Sequence, residues 1–249
     1  MQLRILLLPI LLLAACSPEV KYPYPAQYVS SAEVPPTSIP APPRKGSTEY
    51  AREVEQIVAI QSTLTPEQIT IIQNQIAIKP EVIVLPVLGA KYTEAHYPQL
   101  YDLLKRTASD AWRIGDTTRL YWQSPRPWYT EPRVKRYVEV ILTPGYPSGH
   151  TATFGTWAYA LGDLFPAKRE ELLDYAWSVG GNRIAGGAHY PHDIAGGKLL
   201  AKAVYEQMQV QPEYIAALEK VRDEIAFNAV PLKTGIPART KQAPRPAAH

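Results

Sequence analysis

The sequence has a single cysteine in 249 residues, so no disulfide can form within the chain in any compartment. It has no apolar run near the ~18 residues that a bilayer crossing needs; the longest, residues 5–15, covers 11. It has no internal repeat and no period-two stretch long enough for a half-buried strand, which removes the sheet classes. It also lacks a surplus of one charge. The formal net charge is +3, but residues 230–249 carry Lys233, Arg239, Lys241 and Arg245 without an acid, which leaves −1 for the rest. Nucleic-acid binding needs a basic face on the folded part, and this balance gives no support for one.

Proline is what the sequence has in excess, 25 residues in all, with 12 of them in the two flanks. Residues 17–43 hold Pro18, Pro23, Pro25, Pro35, Pro36, Pro40, Pro42 and Pro43, and residues 230–249 hold Pro231, Pro237, Pro244 and Pro246. The chain opens with Met1-Gln2-Leu3-Arg4, the apolar run, then Leu13-Ala14-Ala15-Cys16. A basic start, a run too short to span and small residues before a cysteine resemble a lipoprotein signal peptide over residues 1–15, with Cys16 acylated. Ser17 in place of Asp points, by similarity to Gram-negative lipoproteins, to the periplasmic side of the bacterial cell envelope, anchored to the outer membrane. Residues 16–48 then read as an extended, semi-rigid tether. Residues 230–249 read as a solvated basic tail, so the fold is left to residues 49–229.

Within that span the apolar spacing is helical. Val54, Ile57, Val58 and Gln61 predict one helix, and Thr65-Pro66-Glu67-Gln68 opens another with a capping box. Residues 81–90 are apolar throughout, but Pro86 argues for an extended buried loop. Residues 97–120 predict a long helix. Five prolines make residues 121–147 mostly loop, with a turn of helix near 133–141. Further helices are expected over 148–164, 167–182, 192–208 and 212–227. The fold class is all-α: a single helical-bundle domain.

Three clusters carry chemistry. Pro147-Ser148-Gly149-His150 lies where loop becomes helix, and the first amides of a helix point outward unpaired with a positive dipole end, suited to an anion. His189 and Asp193 are four apart. A carboxylate in the first turn of the next helix can fix one ring nitrogen and leave the other as a nucleophile or base. Arg119, Arg126 and Arg183 match a tetrahedral oxyanion if they converge, which sequence alone cannot establish. A metal reading of His150, His189, His192 and Asp193 fails on spacing, since His189-x-x-His192 lacks the i, i+4 helical register and the glutamate of the zinc protease motif. His192 reads as a helix-start residue at the pocket rim.

Arg119-x6-Arg126-Pro127, Pro147-Ser148-Gly149-His150 and Arg183-x5-His189-x3-Asp193 together resemble the three-part signature of the type 2 phosphatidic acid phosphatase superfamily. Closest in kind are the class A bacterial non-specific acid phosphatases; vanadium haloperoxidases share the site. Two positions depart from the pattern: Arg119 stands where Lys is usual, and Asn182 where Ser is usual. The resemblance implies a phosphomonoesterase with no metal and no cofactor, acting through a phosphohistidine on a small-molecule phosphomonoester. His189 would be the nucleophile, Asp193 its orienting carboxylate and His150 the general acid and base. Arg119, Arg126, Arg183, Ser148 and the Gly149 amide would hold the phosphoryl oxygens. A bell-shaped pH profile with an acidic to neutral optimum follows. Two other readings share the signature, a phosphatase of lipid phosphates or diphosphates and a vanadate-dependent haloperoxidase. Besides the lipid anchor, exposed apolar helix faces would point to a homodimer.

Overall fold

The computed structural model describes residues 27–229. The signal peptide, Cys16 and the basic tail lie outside them. The described residues form helices joined by turns and loops, with no strand among them. They are α1 (Thr48–Ser62), α2 (Pro66–Asn74), α3 (Glu81–Leu88), α4 (Pro98–Trp122), the single turn α5 (Pro127–Thr130), α6 (Gly149–Leu164), α7 (Arg169–Ala185), α8 (Pro191–Met208) and α9 (Pro212–Ala229).

Local chemistry sets most helix starts. The Thr65 side chain accepts from the Gln68 amide while Gln68 reaches back to the Thr65 amide, a complete capping box. Pro66, Pro98, Pro127, Pro191 and Pro212 open their helices, where a missing amide costs nothing. Ser148 caps α6 by accepting from the Thr151 amide at 3.3 Å.

α6 is the axis of the bundle. It is buried almost all round and packs on α4, α7, α8 and α9. A helix without a polar face must lie inside a domain. Phe154, Trp157 and Leu161 interlock with Leu100, Leu103 and Leu104 of α4 and Val204 and Met208 of α8. Trp157 sends its indole N–H to the Leu104 carbonyl at 2.7 Å, so even this large ring leaves no polar atom unpaired. Burial of a side chain of this kind contributes ~1.5–3 kcal/mol. Where α8 crosses the start of α6 the approach needs glycine. A Cβ on Gly197 would lie 2.8 Å from the Ser148 carbonyl oxygen and 2.7 Å from the Thr151 Cβ.

Three expectations are corrected. Residues 81–88 are helical, because Ile83, Val84 and Val87 form a buried one-sided stripe and Pro86 falls late in the helix. The turn of helix in the proline-rich loop is α5, at 127–130, and not at 133–141. The second half of the expected tether is a strap laid on the domain. Val29, Val34 and Ile39 are buried in the main core, Trp122 Nε1 donates to the Pro36 carbonyl at 3.2 Å, and the Tyr146 hydroxyl donates to the Pro40 carbonyl at 2.5 Å. At its start the strap is clamped: the amides of Gln27, Tyr28 and Val29 all donate to the Asp110 carboxylate, at 2.7, 2.8 and 3.1 Å.

Candidate active site

The starts of α6 and α8 are joined by one backbone bond, from the Ser148 amide to the Asp193 carbonyl at 2.9 Å. That bond sets two of the sequence clusters side by side. The third comes from the end of α4 (Arg119) and the cap of α5 (Arg126), while the last turn of α7 supplies Arg183. All the residues named from the sequence for the site converge here except Cys16, which lies outside the described residues. The convergence is tight and dry: Arg183, Ser148 and Asp193 have no exposed surface, and His150, the most exposed side chain of the set, keeps only 5%.

His189 is held at both ring nitrogens. Nδ1 lies 3.0 Å from Asp193 Oδ2, which also accepts the Tyr190 amide at 3.0 Å. Nε2 lies 3.1 Å from a guanidinium nitrogen of Arg126. Guanidinium can only donate, so Nε2 carries the lone pair and Nδ1 the proton. Burial, then the fields of Arg126 and Arg183, hold the His189 pKa well below the ordinary histidine value. The ring is thus neutral with its free pair toward the arginines. Asp193 is pushed up to about 6 by burial, against the pull of His192, the Tyr190 amide and Arg126, and is ionised at neutral pH.

His150 Nε2 is 2.9 Å from the Ile76 carbonyl, which can only accept, so the proton sits on Nε2. Burial, with Arg183 next, lowers this histidine too. Ile76 follows α2, and the Asn182 side chain donates to Gln75 Oε1 at 2.7 Å. The α2–α3 connection therefore roofs the site, a role the sequence reading did not assign it. Asn182, the departure from the usual Ser, is a tie to that roof.

The three arginines differ in how they are satisfied. Arg126 is anchored by the carbonyls of Thr143, Ala188 and Pro144 at 2.8, 3.0 and 3.2 Å. Arg119 pairs with Asp116, donates to the Pro147 carbonyl at 3.2 Å and lies 5.1 Å over the Trp112 ring. Its fork presses against Gly149, where a Cβ would come within 2.7 Å of a guanidinium nitrogen. Arg183 has no hydrogen bond at any of its three nitrogens among the described residues. Burial lowers Arg126 to about 9, with Arg119 adding to the shift, and burial lowers Arg183 to about 10. A buried cation with bare donors is costly unless an anion meets it. The arrangement sets bare cationic donors, whose chemistry suits a compact oxyanion, beside a neutral imidazole with a free lone pair.

Of the aromatic residues flanking the motifs, Trp122, Tyr146 and Tyr190 are packing residues tied to the strap or to neighbouring rings. Trp128, 5.6 Å from Arg126, and the exposed Tyr129 stay at the rim. Two residues that matter were misread or missed. His192 is buried, not at the rim, and Glu53 was not singled out; its placement on the α1 stripe of Tyr50, Val54, Ile57 and Gln61 was the available signal. No group of three or more metal-ligating side chains is found among the described residues.

Residues 114–206 match the family model described as the PAP2 superfamily, the superfamily that the three motifs resemble. The non-specific acid phosphatase of Salmonella typhimurium is 27% identical over 145 residues, 56% of this chain and 58% of that protein. The non-specific acid phosphatase of Providencia stuartii is 24% identical over 143 residues, 55% and 58% of the two chains. A bacitracin transport permease protein of Bacillus licheniformis is 38% identical over 76 residues, 30% and 37% of the two. The chain spans less than two thirds of the length of these curated relatives.

Proposed function

We propose that this chain is an acid phosphatase that hydrolyses phosphomonoesters through a phosphohistidine. The observation that carries the reading is the unpartnered Arg183 fork, buried with Arg119 and Arg126 around a His189 whose Nε2 is unprotonated. The similarity to two non-specific acid phosphatases supports it.

The phosphoryl oxygens are taken by the three guanidiniums and the Gly149 amide at the start of α6, which displaces Arg126 from His189 Nε2. His189 attacks phosphorus in line. An N–P bond forms as the P–O bond to the leaving group breaks, and His150 gives its proton to the departing alkoxide. Asp193 balances the charge that grows on the His189 ring. Water then attacks the phosphohistidine, His150 takes its proton, and phosphate leaves with His189 restored. The arginines stabilise the charge of both transition states. Entry requires the roof around Ile76 to move. The dianion cancels the arginine field that depresses His150, so binding itself loads the acid. Lipid anchoring at Cys16, on the periplasmic face of an outer membrane, belongs to the same proposal.

The test is phosphate release from p-nitrophenyl phosphate in excess EDTA, with wild-type chain beside His189→Ala. Release that survives the chelator and vanishes in the variant is expected. No release from folded wild-type protein overturns the reading.

A further inference from the structure

Behind the reacting histidine the structure continues in a line that neither the motifs nor the family match describes. Glu53 of α1 lies outside the matched residues 114–206. It is 6% exposed, and its Oε2 is 2.5 Å from Nδ1 of His192, itself 7% exposed. The other nitrogen of that ring, Nε2, faces Asp193 Oδ1 at 3.3 Å. Neither of those two atoms makes a hydrogen bond among the described residues. On its far side Asp193 holds His189 through Oδ2. Four groups, Glu53, His192, Asp193 and His189, thus alternate carboxylate and imidazole through a region closed to water.

We propose that Glu53 and His192 are positioning residues of the active site, Glu53 holding His192 as an imidazolium whose charge keeps Asp193 ionised against His189. The mechanistic part rests on the phosphohistidine reading above. An ionised carboxylate with no exposed surface needs a cation at hand. The two donors to Asp193 both go to Oδ2, and His192 is what faces Oδ1.

Every group facing the pair can be named. From α1, Glu53 and Glu49 act on His192, and Tyr50 lies 5.9 Å away, ring to ring. Tyr190 stacks on it at 5.2 Å and 9°, and Tyr146 comes from the loop before α6 at 5.9 Å. Asp193 feels His192, Arg126 and Glu53, together with the Tyr190 amide. Burial works against a charge on His192, but Glu53, Asp193 and Glu49 outweigh it and the net shift is upward.

Two measurements on the full chain test this. In the first, nitrogen-15 spectra follow the imidazoles of wild type and Glu53→Gln against pH. His192 is expected to be doubly protonated at pH 7 in wild type and to lose that proton in the variant; a neutral His192 in wild type overturns the proposal whether or not the variant folds. In the second, kcat/KM is followed against pH. Glu53→Gln is expected to move the acid limb upward by about one pH unit and to cut kcat about tenfold near pH 6, with KM changed less than threefold. Glu53→Asp restores part of the loss. A stable variant with an unmoved acid limb overturns the positioning role and leaves Glu53 as packing. If wild type releases no phosphate, the phosphatase reading falls, and the imidazole titration still decides the pairing.

Discussion

Asp110 and Arg183 are both fully buried charges, and the fold treats them in opposite ways. Asp110 receives three backbone amides from the strap. Arg183 receives nothing from the described residues at three nitrogens. The first is a structural charge, completed by the chain that folds around it. The second is an incomplete one, and only something from outside can complete it. Buried charge alone therefore does not mark a functional site; buried charge without partners does.

The comparison breaks if the two residues respond alike to removal. Arg183→Met is expected to lower kcat/KM by ~10³-fold or more. The same change should raise the melting temperature of the ligand-free protein by a few degrees, because an apolar side chain replaces a cation with no partner. Steady-state kinetics and calorimetry on one preparation check both, and a fall in melting temperature would refute the contrast. Asp110→Ala is expected to do the reverse. Three amides lose their acceptor, stability drops by ~2–4 kcal/mol, and kcat/KM stays within threefold. Denaturant titration and hydrogen exchange over residues 27–40 report it.

A finer test is what happens when the missing partner is supplied. Inorganic phosphate at 100 times its dissociation constant is expected to stabilise the protein by ~2.7 kcal/mol, and not to stabilise Arg183→Met. The sign of the linked proton follows from His150. Its pKa is held low by burial and by Arg183, so the free ring is neutral at pH 7 and the anion raises it. The ring then takes up a proton on binding, set against the part-proton that phosphate itself gives up when it binds as the dianion. Calorimetry in two buffers of different ionisation enthalpy measures the balance, and His150→Asn should shift it toward release. Asn182→Ser should show the smallest effect, ~0.5–1 kcal/mol of stability and kcat within twofold, since it loosens one tie between α7 and the roof.

Much of this was legible in the chain before any coordinates. Thr65-Pro66-Glu67-Gln68 and Ser148 marked their helix starts because capping is a local matter. The motif residues lie at helix ends, Arg119 and Arg183 in last turns and Arg126, Ser148 and Asp193 at starts, where local sequence signals are strongest. What was not legible is non-local. The strap's prolines suggest a tether, although Val29, Val34 and Ile39 recur between them and proline is as compatible with an extended packed segment as with a free one. Pro86 outweighed the stripe of Ile83, Val84 and Val87, although a proline late in so short a helix interrupts little. His192 looked like an ordinary helix-start residue because its partner, Glu53, is 139 positions earlier. That the arginines converge came from resemblance, not from spacing.

The strap has a mechanical consequence. Its attachments come in chain order: the Asp110 clamp at residues 27–29, then Pro36 on Trp122, then Pro40 on Tyr146. Tyr146 lies against Gly196 of α8, one turn from Asp193. A load drawn along the chain from residue 27 meets three hydrogen bonds to a carboxylate before it meets anything that touches the catalytic end of the bundle. The clamp works as a strain relief, so a pull on the leading segment is borne by α4 while the geometry around His189 stays unloaded.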